Sequence, residues 1–275
     1  MSAPERLGPE GTPSVRTPFM RSLAIQMRVI QALMMREIIT RFGRENLGVL
    51  WLFAEPMIFT LAVTTLWTAT GMHRASNLPI AAFAISGYST VLIWRNTTSR
   101  CNAALEQNRN LLFHRNVRAI DVFLTRILLE VSGATVSFVV LASAFVLTGL
   151  IAPPDDPTKI VCGWLMMSWF GLGLGLTLGS ANAYSELVDR LWHPTSYILF
   201  PLSGAAFMVD WLPLKAQKYV LILPMVHGVE YVREGFFGNL VPTHHDLAYM
   251  ATVNLCLTFT GLVLMRGAVR QLEQR

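Results

Sequence analysis

The chain has 275 residues, of which 53% are hydrophobic and only 14% charged, and its mean hydropathy is +0.45. A soluble domain carries about 25% charged residues, so this composition excludes an ordinary soluble fold and points to an all-α, polytopic membrane protein. The net charge of +5 does not imply nucleic acid, because the basic residues gather at the ends of apolar segments, where membrane topology and anionic headgroups place them.

The first 18 residues are polar, rich in Pro and Gly, and contain no apolar h-region. They read as a disordered cytoplasmic tail without a cleavable signal, and residues 19–275 as a single transmembrane domain. Next comes an amphipathic run in which Leu23, Met27, Ile30, Met34 and Ile38 share one helical face, with Arg21, Arg28 and Arg36 roughly opposite. This pattern predicts a helix lying in the membrane interface. Arg41 breaks it by returning to the apolar side.

Six spans follow: Val49–Gly71, Leu78–Trp94, Leu128–Ala152, Ile160–Ala181, Trp192–Val209 and Leu247–Met265. Pro56 is expected to kink the first or mark its true start. The second has seventeen residues, near the lower limit for crossing. In the fourth, Gly171, Gly175 and Gly179 recur at every fourth position, the spacing that lets helices approach closely. Seventeen Lys and Arg residues fall on one side of this arrangement and five on the other, which puts both termini in the cytoplasm.

Two connections do not read as plain loops. The basic segment Arg95–Arg126 contains a short helical stretch with an apolar knot at Leu111–Phe113, which needs a partner's groove. The outer segment Asp210–Asp246 carries the apolar run Tyr219–Val226, broken by Pro224 and too short to span. Short apolar pieces of this kind fit periplasmic re-entrant helices before the last span.

Chemistry is sparse. No G-x-x-x-x-G-K-[ST] pattern occurs, and neither H-E-x-x-H nor C-x-x-C is present. His244–His245–Asp246 reads as a solvated loop in preference to a metal cluster, and Asp155–Asp156 as a turn in preference to a catalytic pair. Glu55 and Glu130 lie near span ends, where structural pairing and coupling to a partner are both open; Arg126 is in reach of Glu130 at i, i+4. Trp51, Trp67, Trp94, Trp164, Trp192 and Trp211 suit an interfacial aromatic belt. Trp94, Phe207 and Trp211 are the best placed to stack on sugar rings along a translocation path. Arg36, Arg41 and Arg44, three arginines in nine residues where the surface helix meets the first span, are candidates for an acidic lipid headgroup at the substrate entrance.

REIITRFGRENLGVLW (Arg36–Trp51) followed by Pro56 resembles the start of bacterial polysaccharide-export ABC permeases, the type-2 exporter class. NRNLLFHRNVRAIDVF (Asn108–Phe123), PLSGAAFMVDWLP (Pro201–Pro213) and LPMVHGVEYVREGFF (Leu223–Phe237) resemble its capsular-polysaccharide branch. The likeness runs in order from about residue 25 to residue 265. One departure is Leu223, where many of these permeases have Asn before the Pro.

The resemblance implies a permease, not an enzyme, that pairs with a second copy of itself and two ATPase subunits. ATP and Mg would bind to that partner, leaving this chain without a cofactor. The helix Leu23–Arg44 and the loop helix Glu106–Arg118 would dock on the ATPase, with Glu37, Glu106, Asn110, Leu111, Leu112, Phe113, His114 and Arg115 in the coupling role. A periplasmic gate would use Pro201, Ser203, Gly204, Pro213, Pro224, His227, Glu230 and Arg233. The implied substrate is a lipid-linked capsular polysaccharide leaving the cytoplasm across the bacterial inner membrane, handed to a periplasmic co-polymerase and an outer-membrane exporter. A sibling exporter of O-antigen or teichoic acid, a glycan-processing membrane enzyme, and a channel or scaffold are the competing readings. An appended carbohydrate-binding domain on the partner ATPase would favour the O-antigen branch.

Overall fold

The computed structural model describes residues 19–42, 48–71, 78–112 and 117–274, and among these residues every regular element is helical. In chain order they are α1 (Phe19–Phe42), α2 (Gly48–Thr70), α3 (Ile80–Ala84), α4 (Thr90–Asn102), α5 (Ala104–Gln107), α6 (Arg109–Leu112), α7 (Ala119–Leu147), α8 (Pro157–Asn182), α9 (Leu187–Phe200), α10 (Leu214–Val220), α11 (Pro224–Phe237) and α12 (Leu247–Gln274). Among the described residues four segments are long and apolar enough to cross a membrane: Leu50–Thr70, Ala119–Leu147, Pro157–Asn182 and Leu247–Gln271. The expected tail at residues 1–18, together with Arg44, Phe113, His114 and Arg115, lies outside the described residues.

Several boundaries move for physical reasons. Pro56 sits inside α2, neither starting nor ending it. Proline removes one backbone hydrogen bond, and nearby Ser137 Oγ on α7 donates to the carbonyl of Phe53 at 2.7 Å. The expected second span is a composite in which α3, a π-helical turn at Ile85–Ser89 and α4 follow without a break, and it runs on past Arg95 to Asn102. The helix of the expected third span, α7, begins at Ala119 instead of Leu128, because Asp121 Oδ2 accepts the Arg118 N–H at 3.0 Å and caps it within the basic segment. The expected fifth span ends early. After Phe200 a π-helical turn (Pro201–Ala205) closes at Gly204, whose φ of +86° suits glycine, and Val209–Trp211 forms a separate 3-10 turn.

α8 is the axis of the bundle. Its glycines face α4: a Cβ on Gly171 would lie 3.1 Å from the Trp94 Cα, one on Gly175 3.1 Å from the Cys101 Cβ, and one on Gly179 would collide with the Cys101 carbonyl. Small residues at this seam let the two backbones touch. On the other side Gly261 of α12 packs against Leu176. Asp156 N-caps α8 by accepting from the N–H groups of Thr158 and Lys159 at 2.9 and 3.3 Å, so Asp155–Asp156 forms the turn that starts this helix.

Candidate functional site

The inward face of α1 carries Gln26, Ile30, Glu37 and Arg41, so its contact with the bundle is a polar seam and not the purely apolar stripe read from the sequence. Gln26 donates to Asp121 of α7 at 2.8 Å, and Arg36 to Asn108, between α5 and α6, at 2.9 Å. Arg41 turns toward α7 because a carboxylate waits there. Its guanidinium reaches Glu130 at 2.6 Å and Glu37 at 2.7 Å. Burial alone would lower the Arg41 pKa, but the charges and hydrogen bonds of Glu130 and Glu37 outweigh it and hold it above the ordinary value.

Glu130 takes Arg41 and, at 3.4 Å, Arg100 as its partners, in place of the Arg126 suggested by i, i+4 spacing. Arg126 instead donates to the Arg100 carbonyl at 2.6 Å and to Gln107 at 2.7 Å, and approaches Glu37 at 3.5 Å. Together Arg36, Glu37, Arg41, Arg100, Asn108 and Arg126 line a cavity of about 290 Å³. Four guanidinium groups meet two carboxylates here, so the cavity favours an anion. Sequence reasoning named Arg126 only as an i, i+4 partner for Glu130, and it did not single out Arg100.

The coupling residues divide. Glu106 and Asn110 are exposed, Leu111 is half-buried, and Leu112 packs against the chain's own cluster around Cys101, Leu105 and Phe123. The apolar knot is therefore partly satisfied within the subunit.

At the opposite end of the bundle α11 is almost wholly buried. Arg233 is fully buried, donates to the carbonyls of Gly204, Ala205 and Phe207 at 2.7, 2.7 and 2.5 Å, and stacks over Phe83 at 3.8 Å. Gly87 in the π-helical turn makes room, since a Cβ there would lie 2.5 Å from the Arg233 guanidinium. One turn earlier, buried Glu230 accepts the N–H groups of Val209 and His244 at 3.3 and 3.1 Å. His227 Nδ1 accepts from the Asp246 N–H at 2.9 Å, which leaves Nε2–H to donate to the Leu221 carbonyl at 2.8 Å. Pro224 opens α11, Pro213 precedes α10, and Pro201 and buried Ser203 lie in the turn that Arg233 clamps. The structure thus brings Ser203, Gly204, Glu230 and Arg233 together. Gly87 carried no signal in the sequence.

His244 and His245 approach Asp210 and Glu234 at 3.5 and 3.2 Å, and no group of three or more potential metal ligands occurs among the described residues.

The aromatic candidates separate as well. Trp94 is fully buried against Phe170 and Trp192, with centroids at 5.9 and 6.3 Å, and so presents no face to a sugar in this arrangement. Phe207 is half-buried and serves through its carbonyl, whereas Trp211 is 39% exposed and stacks on Phe83 at 5.2 Å. The belt reading fails for Trp164 and Trp192, which are buried and donate to Thr135 and Ser99 at 2.8 and 3.1 Å.

A family model described as ABC-2 type transporter matches residues 28–237. The chain belongs to the ABC-2 type transporter family. It is 44% identical to the capsule polysaccharide export inner-membrane protein CtrC of Neisseria meningitidis serogroup A, over 91% of this chain and 94% of the relative. It is 40% identical to the protein of the same description, BexB, of Haemophilus influenzae, over 94% and 97%. The polysialic acid transport protein KpsM of Escherichia coli is 27% identical, over 88% and 94%. The ABC-2 match contains the whole arginine-rich cavity and the Arg233 clamp, while α12 lies beyond it.

Proposed function

We propose that this chain is the membrane subunit of an ATP-driven exporter that moves lipid-linked capsular polysaccharide from the cytoplasm to the periplasm. The observation that carries the reading is the near end-to-end similarity to two capsule export proteins, at 44% and 40% identity. Their names also support placement in the inner membrane.

In this reading the subunit crosses the membrane six times, through α2, the α3–α4 composite, α7, α8, α9 with its π-helical turn, and α12. Both termini are cytoplasmic, and α1 lies in the interface. α11 has 14 residues, which at 1.5 Å per residue span about 21 Å, short of the ~30 Å hydrocarbon core. With α10, whose Leu214 and Tyr219 are exposed, it forms the outer re-entrant gate. A dimer of this chain pairs with two copies of a separate ATPase, which holds ATP and Mg. Glu106, Asn110 and Leu111 meet that partner, and Phe113, His114 and Arg115 are assigned the same coupling role. The acidic lipid end of the substrate is drawn to the cavity by Arg36 and Arg100, Arg44 is assigned the same headgroup role, and Arg41 is a positioning residue. A periplasmic co-polymerase and an outer-membrane exporter receive the polymer.

The test is deletion and complementation. Loss of the gene should leave capsular polymer inside the cell, and restoring the gene should return it to the surface. The purified chain should hydrolyse ATP only together with its ATPase. Surface capsule at full level in the deletion strain, or robust hydrolysis by the pure chain, would overturn the proposal.

A further inference from the structure

The elbow between α10 and α11 is held by side chains from two other places in the chain. The turn that ends α10 leaves the carbonyls of Leu221 and Ile222 to side-chain donors. His227 of α11 donates from Nε2–H to the first at 2.8 Å, and the Tyr249 hydroxyl of α12 donates to the second at 2.7 Å. The two rings lie 5.2 Å apart. On its other edge His227 Nδ1 accepts the Asp246 N–H at 2.9 Å, directly before α12, and Asp246 Oδ1 accepts the Tyr249 N–H at 2.9 Å. One buried imidazole thus joins the end of α10, the body of α11 and the start of α12.

That arrangement admits a single protonation state. A neutral imidazole has one donor and one acceptor nitrogen, and both are used here, whereas an imidazolium has two donors. A proton on Nδ1 would set donor against donor at the Asp246 N–H, so the tie to the start of α12 must open while the bond to Leu221 persists. The charged groups around the ring are few. From the segment before α12 come the Asp246 carboxylate, which favours a charged ring, and His245, which opposes it. α12 itself presents the Tyr249 phenol. On α11, Glu230 is engaged by the N–H groups of Val209 and His244, Tyr231 stacks on His245 at 4.9 Å, and Arg233 is committed to its carbonyls. α10 carries no acid, and its Lys215 and Lys218 are exposed.

We propose that His227 is a proton-operated latch: neutral, it ties the α10–α11 elbow to the start of α12, and protonated, it releases Asp246 and frees the elbow to move. The tie is complete while the ring is neutral and is lost as pH falls through its titration, which for an ordinary histidine is centred near ~6.5. The consequence for transport rests on the outer-gate reading above, because it makes acid on that side loosen the gate. The geometry of the latch does not depend on that reading.

The experiment is hydrogen exchange of the permease–ATPase complex in nanodiscs at pH 8 and pH 5, read by mass spectrometry on the peptide that carries Asp246–Tyr249. Parent and His227→Asn are compared at the same pH, which cancels the intrinsic pH dependence of exchange. Because the amide cannot titrate, the ratio of parent to variant exchange should rise about threefold or more from pH 8 to pH 5. His227→Gln takes the place of His227→Asn if the latter fails to copurify with the ATPase. His244→Gln and His245→Gln should keep the parent's change. A ratio equal at the two pH values would overturn the latch, as would loss of the change in either neighbouring variant while His227 is intact. Restoration of surface capsule by the parent gene at neutral pH tests the export reading by itself. A flat ratio with capsule restored therefore removes the latch and leaves that reading standing.

Discussion

Arg233 offers the sharpest test of how the outer end of the bundle is held. Its side chain is fully buried and makes three hydrogen bonds to carbonyls of a turn nearly thirty residues earlier in the chain. Arg233→Gln keeps much of the volume but loses the charge and most of the reach. Hydrogen bonds to a charged group are worth about 1.5–3 kcal/mol each, and breaking a buried charged arrangement costs about 3–5 kcal/mol. The loss should therefore be at least ~3 kcal/mol, a fall of roughly 6–12 °C in Tm at about 2–4 °C per kcal/mol. Arg233→Lys should fall between, because one ammonium cannot fork to three carbonyls. The assay is thermal unfolding of the detergent-purified protein. Gly87→Ala provides the internal check: its Cβ would lie 2.5 Å from the guanidinium and 2.7 Å from the Ala205 carbonyl. Because part of that clash is with Arg233 itself, Gly87→Ala combined with Arg233→Gln should cost less than the sum. A Tm of Arg233→Gln within a degree of the parent, or strict additivity with Gly87→Ala, would refute the clamp.

Other changes have equally direct outcomes. Gly179→Ala should separate α4 from α8 at their closest approach and destabilise by about 1–3 kcal/mol, read by the same melting assay; an unchanged Tm would remove this seam from the packing argument. Leu112→Ala should lower stability by about 2 kcal/mol because it leaves a hole in the subunit's own cluster, whereas Asn110→Ala should spare the Tm and weaken ATPase copurification. Equal behaviour of the two would mean that the loop docks as one surface. Arg41→Lys should reduce both surface polysaccharide and Tm at normal permease and ATPase levels, since a lysine cannot hold Glu37 and Glu130 together as Arg41 does. Full export by this variant would leave charge-only anchoring to anionic lipids as the better account.

The long spans were readable because membrane burial imposes a simple demand, a run of apolar residues of bilayer length, and α2, α7, α8 and α12 meet it. The glycine spacing of α8 was readable for the same reason, since only close approach explains it. What could not be read is which helices meet. Glu130 was visible as an ionisable group in an awkward place, but Arg41 lies 89 residues away in sequence and no local pattern joins them. Aromatic roles were illegible because a tryptophan near a span end looks the same whether it faces lipid, as Trp51 can, or lies against Phe170 in the core, as Trp94 does. The end of the expected fifth span, α9, was misplaced because apolarity continues through Val209, while the backbone turns at Gly204 with a φ of +86°.

The polar seam beneath α1 bears on how force would pass through such a subunit. An amphipathic helix held only by apolar contacts can slide or roll on its neighbour at little cost, because the hydrophobic effect is not directional. α1 is held differently: Gln26 to Asp121, Arg36 to Asn108, and Arg41 to Glu130 each demand one partner at one register. Displacing the helix by a turn would strand buried charges. The same network reaches α4 through Arg100 and α5 through Gln107, so α1, the α5–α6 segment and the starts of α7 and α4's final turns are pinned as one body. Under the proposed function, an ATPase pressing on α5–α6 would thus move the floor of the arginine cavity and the end of α4 together.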